Sequence, residues 1–181
     1  MPKIIDHDQQ RASLLDRAFA AYAQYGYASL SMRKLASLIG VSDGSLYHYF
    51  PSKEALYHSL VERYVNIQYE TIRLPEGNDM TLREQLIYVA QQLEKHETEV
   101  ANWMAIQMDY VQVTGKPFVS EAGQTIDDLF VTQIEQPQRL PSHISRLFRQ
   151  QAIGLLILRR LTPTQESFAL ALHPLIDVLA P

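Results

Sequence analysis

Between Leu30 and Leu56 the chain repeats one local device, an apolar residue followed by a serine and a short helical run, with a glycine between the two copies. Ser31 can cap a first helix over Met32 to Ile39, with Leu30 just before the cap and Leu35 at the fourth helical position, the spacing of a hydrophobic staple. Gly40 then stops it, because glycine adopts the left-handed conformation of a helix end at least cost, and Gly40-Val41-Ser42 reads as a tight turn. Ser42 caps a second helix over Asp43 to Tyr49, with Val41 before the cap and Leu46 at the fourth position. Pro51-Ser52 ends that helix and opens a third at Lys53.

Two short helices about a glycine turn are the sequence form of a helix-turn-helix, whose second helix enters the DNA major groove, and equally of a plain helical hairpin in an all-α core. The side chains discriminate. Asp43, Gly44, Ser45, Tyr47, His48 and Tyr49 are small or polar, and only Leu46 and Phe50 read as obligate core. A packing helix needs a wider apolar stripe. This one leaves most of its circumference to phosphates and base edges.

The run from Gly40 through Ser42, Asp43, Gly44, Ser45, Tyr47, His48, Tyr49, Phe50 and Lys53 to Leu56 closely resembles the DNA-binding signature of the tetracycline-repressor (TetR) family of transcriptional regulators. The likeness extends back through Arg11, Ala18, Phe19, Gly26, Tyr27, Met32, Leu35 and Ala36, covering roughly the first third of the chain. It implies an all-α fold of about nine helices. A helix-turn-helix head over residues 1–52 would precede a helical ligand-binding and dimerisation domain over 53–181. It further implies a homodimeric repressor that binds double-stranded DNA at a palindromic operator and is released by a small-molecule effector, with no cofactor. A two-fold dimer would set two recognition helices in successive major grooves, about 34–36 Å apart.

Carried onto this chain, the resemblance makes Ser31 and Ser42 phosphate contacts through their hydroxyls and helix N-termini, with Asp43 and Gly44 opening the recognition helix. Tyr47, His48 and Tyr49 would contact backbone and bases, and Lys53 would hold a phosphate. Arg33 and Ser45 are the candidates for reading base edges.

Charge bears on this reading. The net charge is -4, yet residues 1–60 hold six Lys/Arg against five Asp/Glu, and the rest of the chain ten against fifteen. A weakly basic head must bind phosphate through a few placed cations and helix ends. The absence of Cys excludes disulfides, Cys-ligated zinc and thiol catalysis. Met1 to Asp6 lacks a signal-peptide apolar run and nothing later approaches a membrane span, so the expected location is the cytoplasm, with no membrane partner.

In the remaining chain, Gln9 to Tyr25 reads as a helix with Leu15, Ala18, Phe19, Tyr22 and Tyr25 on one face, stopped by Gly26. Lys53 to about Leu74 is a longer helix, broken by Pro75-Glu76-Gly77-Asn78-Asp79. Thr81-Leu82-Arg83-Glu84 is a capping box, followed by a stripe of Leu82, Leu86, Val89 and Leu93. Further helices read over Glu97 to about Val113, ended by Gly115-Lys116-Pro117, and over Phe118 to Ile134. Pro141 or Ser142 starts the next, in which Gly154 to Leu158 is apolar all round, so something must cover its outer side. Thr162-Pro163-Thr164-Gln165 reads as cap and capping box of the last helix, which Pro174 should kink or shorten.

The last two helices are expected to form half of a four-helix dimer interface through Phe148, Ala152, Leu155, Leu156 and Leu158 on one and Phe168, Leu172 and Ile176 on the other; the alternative is a central pair within one monomer. The effector pocket implied by the resemblance would draw on Tyr64 and Tyr88, on Trp103, Met104, Gln107, Met108 and Tyr110, and on Phe118, Ile126 and Phe130. Aromatic, Met-rich and poor in charge, that lining suits a weakly polar or aromatic molecule, although such stripes are also ordinary core.

An enzyme is not expected. No His-x-x-x-His pair, nucleophile elbow or Gly-rich phosphate loop occurs, and His96, Glu97 and Glu99 point around a helix rather than converging on a metal. The competing class is a helical sensor or partner-binding protein that kept the head but lost operator binding, suggested by the weak positive charge and by Asp43.

Overall fold

The computed structural model of the chain describes residues 7–75, 79–118 and 141–181. Among these it has eight helices and no strand: α1 (His7–Tyr25), α2 (Met32–Leu38), α3 (Asp43–Tyr49), α4 (Lys53–Ile72), α5 (Leu82–Lys95), α6 (Glu97–Thr114), α7 (Ser142–Leu161) and α8 (Phe168–Leu179). The helix expected over Phe118 to Ile134, with Ile126 and Phe130, lies outside the described residues from position 119 onward, as do Glu76, Gly77 and Asn78.

Contacts divide the chain elsewhere than between residues 52 and 53. One unit draws its described residues from Met1–Tyr64 and Asn102–Thr125, the other from Val65–Ala101 and Ile126–Pro181. The first unit shows why. Three short helices offer little apolar area, and their core is completed by Leu56, Tyr57, Leu60 and Val61 of α4 with Trp103, Ile106 and Tyr110 of α6, all buried. Tyr57 and Tyr110 stack at 3.8 Å between ring centroids with planes 8° apart, and Tyr64 stacks on Trp103 at 4.3 Å. Tyr27 meets Tyr57 and Tyr110 edge-on.

On α1 the buried row is Leu14, Leu15, Ala18, Ala21 and Tyr22; Tyr25, expected on that face, is exposed. The helix ends at Tyr25, Gly26 turns the chain at φ 79°, and Tyr27 fills the place beside Tyr22 instead, 5.4 Å away between rings. A Cβ on Gly26 would stand 3.0 Å from Asp109 Oδ2 as well as in a backbone region that L residues avoid. Gly26→Ala should therefore lower stability by about 2 kcal/mol, read as a shifted urea midpoint with unchanged slope. An unshifted midpoint would show that the carboxylate yields freely.

In the second unit α8 packs on both α5 and α7. The capping box forms as expected, Thr81 N–H donating to Glu84 at 2.8 Å and Glu84 N–H to Thr81 at 3.3 Å. The start of α8 differs from expectation. Thr162 closes α7, its N–H donating to Leu158 O, and the cap of α8 is Ser167, which accepts from Leu170 N–H. Arg159 donates to Glu166 O at 2.7 Å while pairing with Glu97 at 2.6 Å, and Glu166 N–H donates to Thr164 at 3.1 Å, so the expected box of Thr162 and Gln165 does not form. Glu94 accepts from the Ser167 hydroxyl and then from the N–H groups of Phe168 and Ala169, which holds its carboxyl below the usual range. Pro174 does not end α8, which runs on to Leu179. The hydrogen bond it forgoes would involve Leu170, on the exposed side, where water can serve the carbonyl.

Candidate nucleic-acid interface

The first unit builds its exposed face from three serine-capped helices. Ser31, Ser42 and Ser52 accept from Lys34, Ser45 and Ala55 N–H at 3.2, 3.1 and 3.0 Å, fixing the starts of α2, α3 and α4. Gly40 takes φ 73° at the end of α2, and Val41 N–H returns to Ala36 O at 3.0 Å, so the turn closes on α2's own last carbonyls. Of the staple residues, Leu30, Leu35 and Leu46 are fully buried and Val41 is half-buried.

Long-range contacts that the sequence did not disclose tie α1 to this turn and to α4. Arg17 of α1 donates to Ile39 O at 2.6 Å, and Arg11 donates to Ser59 at 2.6 Å while lying over the Phe50 ring. Arg63 of α4 grips both oxygens of Asp16 at 2.7 and 2.8 Å. Nothing in local spacing marks these cations, because each partner is distant in sequence.

Of the α3 residues only Leu46 is buried. Asp43, Gly44, Tyr47 and His48 are exposed, Tyr47 by 49%, and Ser45 and Tyr49 are half-buried. The Tyr49 hydroxyl lies 3.3 Å from His7 Nδ1, and the His48 ring stands edge-on to Tyr49. Arg33 on α2 is 89% exposed and reaches to 3.8 Å from Asp43, a loose surface pair of little energy that leaves the guanidinium available. The Ser31, Ser42, Asp43, Gly44, Ser45, Tyr47, His48 and Arg33 positions thus share the α2–α3 region.

Lys53, expected to hold a phosphate, makes contacts within the unit. Its ammonium donates to Tyr27 O at 2.5 Å and sits 3.9 Å from the centre of the Tyr27 ring. Burial lowers its pKa and the nearby Asp109 charge opposes that shift. Tyr27 is itself pushed up to about 12, chiefly by burial.

The residues expected around an effector divide. Trp103, Tyr110 and Phe118 are buried and Tyr64 half-buried, and all four lie against other rings of the first unit. Met104 and Gln107 are half-buried, Met108 is 60% exposed, and Tyr88 is half-buried in the second unit. Ile126 and Phe130 lie outside the described residues. Of the residues expected at a dimer interface, Phe148, Ala152, Leu156, Phe168, Leu172 and Ile176 are already buried within the subunit, so they have little area left to give a partner. Leu155 is half-buried and Leu158 exposed, and the apolar side chains left open on these helices include Leu147, Leu161, Leu170 and Val178. The stretch from Gly154 to Leu158, apolar all round in sequence, thus divides into buried Leu156 and open Leu158. His96 ends α5 and Glu97 pairs with Arg159, so these two are accounted for structurally.

Residues 14–60 match the family described as bacterial regulatory proteins, tetR family. The chain is 40% identical over 62 residues to an HTH-type transcriptional repressor of Mycobacterium tuberculosis, covering 33% of each protein. It is 34% identical over 58 residues to the HTH-type transcriptional regulator RutR of Escherichia coli, covering 32% of this chain and 27% of RutR. These matches span about a third or less of the relatives' own length. In fold the likeness runs nearly end to end. A TetR family transcription regulator of Marinobacter aquaeolei superposes with a TM-score of 0.69 at 20% identity over 96% of both chains. The fatty acid degradation regulator FadR of Bacillus halodurans does so with 0.66 at 17% identity over 94% of both.

Proposed function

We propose that the chain belongs, by its helix-turn-helix head, to the TetR family of bacterial regulators and is a dimeric transcriptional repressor, not an enzyme, acting on DNA in the cytoplasm. It would bind a palindromic operator and leave it when a small, weakly polar effector binds. The observation that carries the reading is α3: capped at Ser42, seated by Leu46 alone, and presenting Gly44, Tyr47 and His48 outward beside the exposed Arg33. A helix used only for packing would bury more of its girth. Support for pairing comes from the apolar side chains left open on α7 and α8, which a second copy would cover. Support for a weakly polar effector comes from half-buried Met104 and Gln107, on the same helix as buried Trp103 and Tyr110.

An effector can release DNA only by preferring the non-binding form, and moving the balance from 1:99 to 99:1 takes about 5.5 kcal/mol of differential affinity. Selection of genomic fragments by the purified protein, repeated with candidate effectors, tests the whole reading. A salt-sensitive palindrome is the supporting outcome, and no enriched fragment would favour the sensor that lost its operator. On such a site Tyr47→Ala should keep the thermal unfolding midpoint and weaken binding about tenfold. Arg33→Ala should relax discrimination at one base pair by about 1–3 kcal/mol. Unchanged affinity in both variants would remove α2 and α3 from the interface.

A further inference from the structure

The α1–α2 turn delivers Ser31 and, through it, the helix-turn-helix. One peptide group in that turn is held from both sides by ionised side chains. Its carbonyl, Tyr27 O, accepts from Lys53 Nζ of α4 at 2.5 Å. Its N–H, on Ala28, donates to Asp109 Oδ2 of α6 at 2.7 Å. We infer that Lys53 and Asp109 form a clasp through the Tyr27–Ala28 peptide that makes α6 a positioning element for the DNA-binding helices, and that Lys53 serves this clasp rather than a phosphate.

Three further observations support the clasp. Gly26 leaves room for the carboxylate: a Cβ there would stand 3.0 Å from Asp109 Oδ2. The Tyr27 ring is fixed beneath the ammonium, 3.9 Å from it, and is wedged edge-on against both Tyr57 and Tyr110. The residues next to the two charges are linked as well, Tyr110 hydroxyl donating to Glu54 at 3.4 Å. A peptide polarised at one end by a cation becomes a better donor at the other, so the two bonds reinforce each other. Removing either charge should weaken both. The turn would then hold Leu30 and Ser31 less firmly, and α2 with them.

The inference rests on the DNA-binding reading only for its functional consequence. The test therefore has two arms, on the full-length protein. In the first, the Ala28 amide proton is followed by NMR in Lys53→Met and in Asp109→Asn. It should move upfield in both, although Lys53 does not touch that N–H. In the second, affinity for the selected duplex is measured against salt. Each variant should lose about tenfold with the slope of log K against log salt unchanged, the double variant should be no weaker than the worse single one, and Lys53→Arg should stay near the parent in both readouts.

A slope smaller by about 0.9 in Lys53→Met, with Ala28 unmoved, would make Lys53 a phosphate contact and overturn the clasp. Additive losses would overturn the coupling. If the parent binds no duplex, the functional reading fails, and Ala28 still decides the clasp: an amide unmoved by Lys53→Met ends it. Should Lys53→Met not fold, Lys53→Gln takes its place in both arms.

Discussion

Replacing Leu158 by Lys should leave the subunit folded, turn the proposed dimer into monomers in sedimentation equilibrium, and lower affinity for a two-half-site duplex by two orders of magnitude or more. Leu158 is 59% exposed near the C-terminal end of α7, where a lysine suits both helix propensity and helix dipole, so the fold should tolerate it. In a paired α7–α8 surface that same position would be covered. Desolvating an unpaired ammonium there costs several kcal/mol, and each 1.4 kcal/mol is tenfold in the association constant. Losing the second half-site then removes the contacts that a lone head cannot replace. A variant that still sediments as a dimer would place the interface elsewhere than on this face.

Tyr57→Ala should lower the stability of the protein by about 4 kcal/mol, which for a chain of this size is a fall of roughly 8–16 °C in Tm. Tyr57 is fully buried in the first unit, stacked on Tyr110 and near-parallel to Trp103, and Tyr27 rests edge-on against it. Truncation leaves a ring-sized void among aromatics that cannot all move inward. Tyr57→Phe keeps the ring and should cost under 1 kcal/mol. Thermal denaturation of the pair separates the ring from its hydroxyl, and a loss below 1 kcal/mol in the alanine variant would show that the void closes without strain.

Much of the α2–α3 region is legible in the sequence. The serine caps and the Gly40 stop appear where the spacing puts them, and the division of α3 into buried Leu46 and open Tyr47 and His48 follows its residue types. The capping box at Thr81 and Glu84 formed for the same reason. Errors fell where two local signals competed. Thr162-Pro163 has the form of a helix start, but Ser167 followed by a longer apolar run won, and Arg159 fastens the residues between them. Tyr25 continues the apolar phase of α1, but the helix stops there and Tyr27 takes the inner place.

What residues decide alone is whatever closes within one helical turn: caps, staples, stops and the choice between a packing and a presenting helix. Those interactions join positions three or four apart, so neighbours in sequence are also partners in space. The aim of Lys53, the recruitment of α6 into the head and the row of α7 that stays open depend on contacts such as Ala28 to Asp109, 81 positions apart. Periodicity says that a helix has an apolar face; only packing chooses what that face meets.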